Sequence, residues 1–534
     1  MFVRKQTFRN KDGSTRTYLQ IVENVRVNGK VRQRTVANLG RAEKFIGAPL
    51  DGLLRSLASF SQKLRVIDAA EGIRAEWARD WGPLLVWHRL FCDLGLAEEL
   101  ERMQKGSRLS FSLAEALFLM VANRLCDPQS KLGIMRWREG IYWPQAEGLE
   151  LQHLYRALDF ISSQERYKRI EEHLFFRDRN LFSSGLDLLL LDTTSSYFTG
   201  RGPHGLAEYG YSRDKRPDRR QMVIAVAMEP GGIPVSHHVF PGSTADPVAF
   251  RQAISDLGAR FPLGRVVVVA DRGCVSRKNL DLLSQMGYAW IVGRRLRSER
   301  RLSSEVLSRG GRYARVVDGE GGEVENLKVK EVILGGERYI LCLNPEEAKR
   351  DREVRRAILS DLEEKLKKAP SSLFGNSGYR RYLKLGKRPE IDWGKVKEDE
   401  RYDGKWLLST TSDLPAQEVA LAYKGLWMVE RAFRELKSSL EIRPVYHFTE
   451  RRVRAHVFIC FLAFHLECVL RSRLRASGCE EPYLKVMQDL GKIRAVKLDL
   501  EGRPWLVRTE LEGSAHAAFS ALGMRPPSRV IPLS

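Results

Sequence analysis

The stretch LLLLDTTSSYFTG, residues 188–200, decides how this chain folds. Four leucines running into Asp192 suit a strand buried on both faces and ending in a carboxylate, because only a doubly covered strand tolerates an unbroken apolar run. Two further strands follow, QMVIAVAME (221–229) and IPVSHHVF (233–240), joined by the turn cluster Pro230-Gly231-Gly232. The three read as an antiparallel meander. Asp246-Pro247 reads as an N-cap with proline at the first helical position, opening a helix to about Ala259. Arg265 to Asp271, RVVVVAD, is a second buried strand ending in a carboxylate; Ser276 caps the helix RKNLDLLSQMG, and YAWIVGRR (288–295) adds a last strand. The order β-β-β-α-β-α-β, with Asp192 and Asp271 at the C-terminal ends of the first and fourth strands, is that of an RNase H-like α/β fold.

Working outward, residues 1–45 read as a β-hairpin region, with TYLQIVENVRV (17–27) alternating β-formers and Asp12-Gly13 and Asn28-Gly29 as hairpin turns. Residues 46–183 carry helical periodicity, as in LAEALFLMVANRL (113–125), and are expected to form a helical, DNA-binding domain. The catalytic fold occupies 184–295 and resumes over 401–475. Between them, 296–400 reads as an inserted β-rich subdomain, with RYARVVDG, EVENLKVKEVIL and GERYILCLN as strands and a charged helix over 351–369. Residues 476–534 form a C-terminal region in which no chemistry is legible.

The 534 residues include 89 Lys+Arg against 67 Asp+Glu, a formal net charge of +22 and a pI of about 9.7. This excess points to a polyanionic partner, and for a chain of this type to nucleic acid. A membrane-spanning protein is not expected, since the longest apolar stretch, Val457 to Phe464, falls short of the roughly 20 residues that a span requires. The start MFVRKQTFRNKDGSTR lacks an apolar export signal, which places the chain in the cytoplasm, at the nucleoid when bound to DNA. Seven scattered cysteines without a C-x-x-C pair argue against a disulfide framework and a zinc site. The pair His237-His238, with His447, His456 and His465, reads as structural, and Cys274 as inert.

The segment LAYKGLWMVERAFRELKSSLEIRP reads as part of one long helix from near Pro415 to about Leu440. At about 100° per residue, Tyr423, Trp427, Glu430, Arg434 and Lys437 fall within a sector of about 80°. Ala422, Val429, Phe433, Leu436 and Leu440 form the adjacent apolar sector that packs on the sheet. Glu430 is thereby held at the edge of the buried stripe. The three carboxylates Asp192, Asp271 and Glu430 can hold two Mg²⁺ or Mn²⁺ ions, hard cations that take oxygen ligands, for phosphodiester cleavage. Lys437, Arg434 and Tyr423 would hold phosphate oxygens. Asp246 reads as a helix cap and Asp187 as preceding its strand, so neither joins the set.

Together LLLLDTTSSYFTG, AEYGYSRDKRPDRRQM (207–222), VVVADRGCVSRKNL (267–280) and the helix signature Tyr-x2-Arg-x3-Glu-x6-Lys, matched at Tyr423, Glu430 and Lys437, resemble the DDE transposases of bacterial insertion sequences. The likeness is to the insertion-sequence-four family and its sixteen-thirty-four-like subgroup, which the N-terminal YLQIVENVRVNGKVRQRTVANLGR also resembles. The signature arginine is replaced by Leu426, with Arg434 or Arg431 as the charge that could substitute. The resemblance implies Asp192, Asp271 and Glu430 as catalytic metal ligands for two Mg²⁺ or Mn²⁺ ions. It also implies a homodimer on double-stranded terminal inverted repeats, cleavage that frees 3′-hydroxyls, and strand transfer into target DNA. Arg272, Arg213, Lys215, Arg216, Arg219 and Arg220 are further candidates for DNA contact. A nuclease with the same triad and a catalytically inactive DNA-binding protein are the alternatives.

Overall fold

The computed structural model of the chain describes residues 1–534 apart from 28–29, 45–47, 59, 61–72, 178–187, 262, 264–265, 275, 318–322, 369–376, 385–388, 501 and 534. The Asn28-Gly29 turn, Asp187 and Arg265 therefore lie outside the described residues. Two compact units result. One comprises Met1–Ala78, Ala495–Thr509 and Ser528–Ser534, and the other Arg79–Arg494 with Glu510–Pro527.

In the first unit, β1 (Phe2–Arg9), β2 (Thr15–Val27) and β3 (Lys30–Arg41) form an antiparallel meander, followed by helix α1 (Ala48–Ala58). The expected turn at Asp12-Gly13 is present, with Gly13 at φ +84°. Strand β4 (Ile73–Asp80), which runs on into the second unit, falls within the stretch expected to be helical. Its residues IRAEWARD alternate with a period of two, and its sheet partners come from far along the chain.

The second unit opens with helices α2 (Gly82–Asp93), α3 (Leu96–Gln104), α4 (Leu113–Cys126), α5 (Lys131–Trp137), α6 (Leu151–Ser162) and α7 (Tyr167–Arg177). The sheet then begins with β5 (Leu188–Tyr197), β6 (Gln221–Met228) and β7 (Pro234–Pro241), followed by helix α8 (Asp246–Arg260), strand β8 (Val267–Ala270), helix α9 (Arg277–Gln285) and strand β9 (Ala289–Arg294). Strands β5, β8 and β9 run parallel, whereas β6 and β7 run antiparallel, in the spatial order β7-β6-β5-β8-β9. This is the RNase H-like arrangement.

Next come α10 (Arg300–Ser308), β10 (Ala314–Val317), β11 (Glu323–Leu334), β12 (Glu337–Leu343), α11 (Pro345–Lys368), α12 (Ser377–Arg380), the two-residue strands β13 (Leu383–Lys384) and β14 (Glu390–Ile391), α13 (Trp393–Glu400) and β15 (Lys405–Thr410). Of the inserted strands, β13 and β14 pair only with each other, whereas β10, β11 and β12 extend the catalytic sheet. β15 pairs with β9, β12 with β15, and β11 and β10 follow, giving one nine-stranded sheet. The alternation of β10, β11 and β12 was legible, but not the pairing of β12 with β15, whose partners lie 62 to 72 residues apart.

Helices α14 (Ala416–Lys424) and α15 (Trp427–Lys437) stand where one continuous helix was expected. Around Gly425 the hydrogen bonds shorten to the i→i+3 type, Leu426 N to Tyr423 O at 3.1 Å and Met428 N to Gly425 O at 2.9 Å, so the chain tightens by part of a turn. Helix α16 (Glu450–Ala476) runs through the core and packs on α4, α6, α15 and β7. It is the one helix among the described residues long and apolar enough to cross a membrane, and 89% of its most apolar window is buried in the fold. After α17 (Tyr483–Leu490), strands β16 (Arg494–Leu500) and β17 (Arg503–Arg508), helix α18 (Ala515–Ala521) and β18 (Val530–Pro532) complete the chain. The four-stranded sheet has the order β18-β17-β16-β4.

Candidate active site

Register brings the two aspartates together. Leu191 on β5 pairs with Ala270 on the parallel strand β8, so the next residues, Asp192 and Asp271, emerge side by side. Asp271 follows the last residue of β8, as expected. Asp192 does not end its strand: β5 continues to Tyr197 against β6, because Thr193, Thr194, Ser195 and Ser196 are small enough to be buried there. The carboxylate instead marks the point where the parallel neighbour stops.

Helix α15 supplies the third acid. Val429, Phe433, Leu436 and, just beyond the helix, Leu440 are buried, and at roughly 1.5–3 kcal/mol per side chain this stripe fixes the helix on β5. Glu430 lines one cleft with Asp192 and Asp271, together with Tyr423, Arg434, Lys437, Arg272 and Arg213; its volume is about 840 Å³. Glu430 is exposed and makes no ion pair among the described residues. Nor do any three His, Cys, Asp or Glu side chains among the described residues stand close enough to hold one metal ion together.

Burial, with Asp271 and Asp246 nearby, pushes the Asp192 carboxyl up to about 6 against the pull of Arg213. Asp192 accepts a hydrogen bond from the backbone N–H of Thr193 at 2.7 Å, and Asp271 accepts one from the Tyr423 hydroxyl at 2.9 Å. The tyrosine reaches that oxygen over Gly293, where a Cβ would lie 2.4 Å from its hydroxyl. Burial, then Asp271, raises the Tyr423 hydroxyl well above its ordinary range, so it donates.

Arg213 and Lys437 are held from within the protein. Arg213 donates to the Thr193 carbonyl, to Thr193 Oγ1 at 2.9 Å and to Asp246 at 2.9 Å, and lies 3.7 Å from Asp192. Lys437 donates to Thr194 Oγ1 at 2.9 Å and Asp214 at 3.0 Å; burial lowers its pKa, and Asp214 resists this. Asp214 also takes Arg443 at 2.5 Å. Asp214 and Asp246 are the residues that the sequence did not single out. Asp246 is no cap, since Ala245 holds that position and the carboxylate turns to Thr193 and Arg213. Asp214 carried one signal, a lone acid inside the basic run SRDKR.

The remaining expected contacts divide. Arg272 and Arg434 are exposed and line the cleft, as does Lys424. Arg431 does not; it lies 3.8 Å from Glu435. Leu426, at the position of the signature arginine, is buried at the cleft wall. Arg216 pairs with Asp218 at 2.8 Å, Arg219 donates to the Thr199 carbonyl at 2.8 Å, and Arg220 stacks over Tyr209. Lys215 is exposed at φ +57°. The histidines serve the fold: His237 binds Glu171, His456 Nε2 meets the Ile442 carbonyl, and His465 the Pro234 carbonyl. Cys274 is buried, which raises its thiol pKa, and all seven cysteines are free.

No curated protein matches the chain. Among solved structures, it is similar to piggyBac transposase in a cryo-EM synaptic complex with hairpin DNA, at 10% identity and a TM-score of 0.39, over 77% of this chain and 79% of that one. Residues 3–71 match the IS1634 family transposase N-terminal domain, rather than the insertion-sequence-four wording that the motifs suggested. Since residues 183–466 match the Transposase DDE domain, more than half its length, the chain belongs to the DDE transposases.

Proposed function

We propose that the protein binds the terminal inverted repeats of an insertion sequence, cleaves phosphodiester bonds at its ends and joins the freed 3′-hydroxyls to target DNA. The observation that carries this reading is the gathering in one cleft of Asp192, Asp271 and Glu430 with Tyr423, Arg434, Lys437 and Arg272. The acids are all-oxygen donors, and the burial that, with Asp271 and Asp246, lifts Asp192 to about 6 is offset by a bound dication. Asp192, Asp271 and Glu430 would hold two Mg²⁺ or Mn²⁺ ions, with Glu430 drawn in on binding, since the three do not stand close enough in this structure to share one ion. The chemistry such ions supply when bound is activation of water or a 3′-hydroxyl and stabilisation of the leaving oxygen. Tyr423 orients the Asp271 carboxylate, and Arg213 ties the backbone beside Asp192 to Asp246. Arg272, Arg434 and Lys437 hold phosphate oxygens of the bound strand. The protein works as a homodimer on paired ends, in the cytoplasm at the nucleoid.

The test is cleavage and joining of inverted-repeat ends in Mg²⁺ by Asp192→Asn, Asp271→Asn and Glu430→Gln proteins. Loss of both reactions in each is expected. A folded variant that cuts and joins at near the unmodified rate removes that residue from the set. Strand transfer from a pre-cleaved end separates a transposase from a nuclease.

A further inference from the structure

A second cleft, of about 1040 Å³, lies beside the first and shares Arg272, Gly293 and Arg294 with it. It opens on the other face of the sheet. Along β9, Ile291 points into the core under α14 and α15, while Trp290 and Val292 point toward α8 and α9. Ser409 pairs with Val292 across β9 and β15 and shares that second face. Between the core packed by α9 and the one beside α10, the cleft runs along these strands. From Trp290 to Arg294 that stretch of β9 spans about 13 Å.

Its chemistry suits phosphate. Arg277 and Arg295 are exposed on the cleft and make no ion pair among the described residues. Ser409 is 3% exposed, lines the cleft, and its hydroxyl has no hydrogen-bond partner; the indole N–H of Trp290 is likewise unmatched. A buried hydroxyl left open costs free energy unless something completes it. Of the acids on the cleft, Glu299 is neutralised by Arg294 at 2.6 Å, while Glu337, which accepts from the Tyr339 hydroxyl, and Asp281 keep their charge against Arg272, Arg277 and Arg295. No Asn or Gln among the described residues lines the cleft, so the amides that read adenine are missing.

We propose that this cleft holds the sugar-phosphate backbone of a second DNA segment, bound without regard to sequence, so that target DNA lies across β9 while the element's end occupies the carboxylate cleft. The inference rests on the transposase reading for the identity of the segment. Arginines and hydroxyls that engage phosphate oxygens and not base edges fit DNA of unfixed sequence, as target must be and a terminal repeat is not.

The test compares the full-length protein with its Arg277→Ala/Arg295→Ala double variant in three assays. Cleavage of inverted-repeat ends should stay within about twofold, while strand transfer from a pre-cleaved 3′-hydroxyl end into plasmid DNA should fall at least about tenfold, with the salt slope for binding a scrambled duplex shallower by one to two units. Unchanged strand transfer and salt slope in the folded variant overturn the proposal, as does an equal fall in cleavage, which would assign both arginines to the element's end. If the unmodified protein neither cuts nor joins ends, the transposase reading fails separately, and the scrambled-duplex titration still decides whether the cleft binds DNA. An Arg277→Glu/Arg295→Glu variant should exaggerate every effect in the same direction.

Discussion

Glu171 and Asp192 are both buried carboxylates, and the protein treats them oppositely. Glu171 accepts from Ser236 Oγ at 3.0 Å, the His237 backbone N–H at 3.0 Å, His237 Nδ1 at 2.6 Å and Arg260 at 2.7 Å. Burial pushes its carboxyl up, but His237 and Arg260 more than offset this and hold it below the usual range. Asp192 has the Thr193 N–H and a more distant Arg213, and faces two further carboxylates. One acid is completed by protein and the other is kept open. A buried group left in that state marks a place where something else completes it.

That contrast can be broken at either end. Asp192→Asn should cost cleavage at least about 10³-fold, roughly 4 kcal/mol of barrier, while urea unfolding shows no loss of stability. Glu171→Ala should do the reverse, destabilising by about 3–5 kcal/mol because Ser236 Oγ, the His237 N–H and His237 Nδ1 lose their buried partner and Arg260 keeps only Glu172 and Asp256 as carboxylate partners, with activity per folded molecule retained. Exchanged outcomes would show that the two acids have been assigned the wrong way round.

Lys131 is a basic member of the same comparison. It is 3% exposed and its Nζ has no hydrogen-bond partner, whereas buried Lys437 has Asp214 and Thr194. Burial, and next Arg124, bring Lys131 down to about 7 from 10.5. Between those values the unfolded chain binds the proton and the native one does not, so stability rises with pH by up to about 1.4 kcal/mol per unit. Lys131→Met should flatten that slope in urea titrations at successive pH values and add on the order of 3 kcal/mol near neutrality. A smaller effect belongs to Asp246→Asn, which frees Arg213 and should slow cleavage about tenfold, ~1.4 kcal/mol, with little change in end binding. Least of all, Arg216→Ala should alter DNA binding less than about twofold, since an exposed pair with Asp218 contributes little.

Much of this site was legible because its determinants are local. The apolar run before Asp192, the strand before Asp271 and the stripe of α15 each announce themselves within a few residues. The remainder depends on distant partners. Lys437 was read as a phosphate ligand, and nothing near it in sequence pointed to Asp214, which comes from a loop more than two hundred residues earlier. Asp246 looked like a cap because Asp-Pro commonly opens a helix, and only the folded chain sets it against Thr193 and Arg213. Gly425 is tolerated inside helices, so a tightened turn there leaves no mark in the apolar pattern.

The pairing of β9 with β15 also has a temporal meaning. Asp192 and Asp271 leave the ribosome early, but the strand that flanks β9 and the helices bearing Tyr423 and Glu430 emerge only after the whole segment from 296 to 400 has been made. Closing so long a connection is slow compared with forming local structure. A chain that stops before 427 thus carries two of the proposed acids without the third, and cutting competence waits for the helix that bears Glu430.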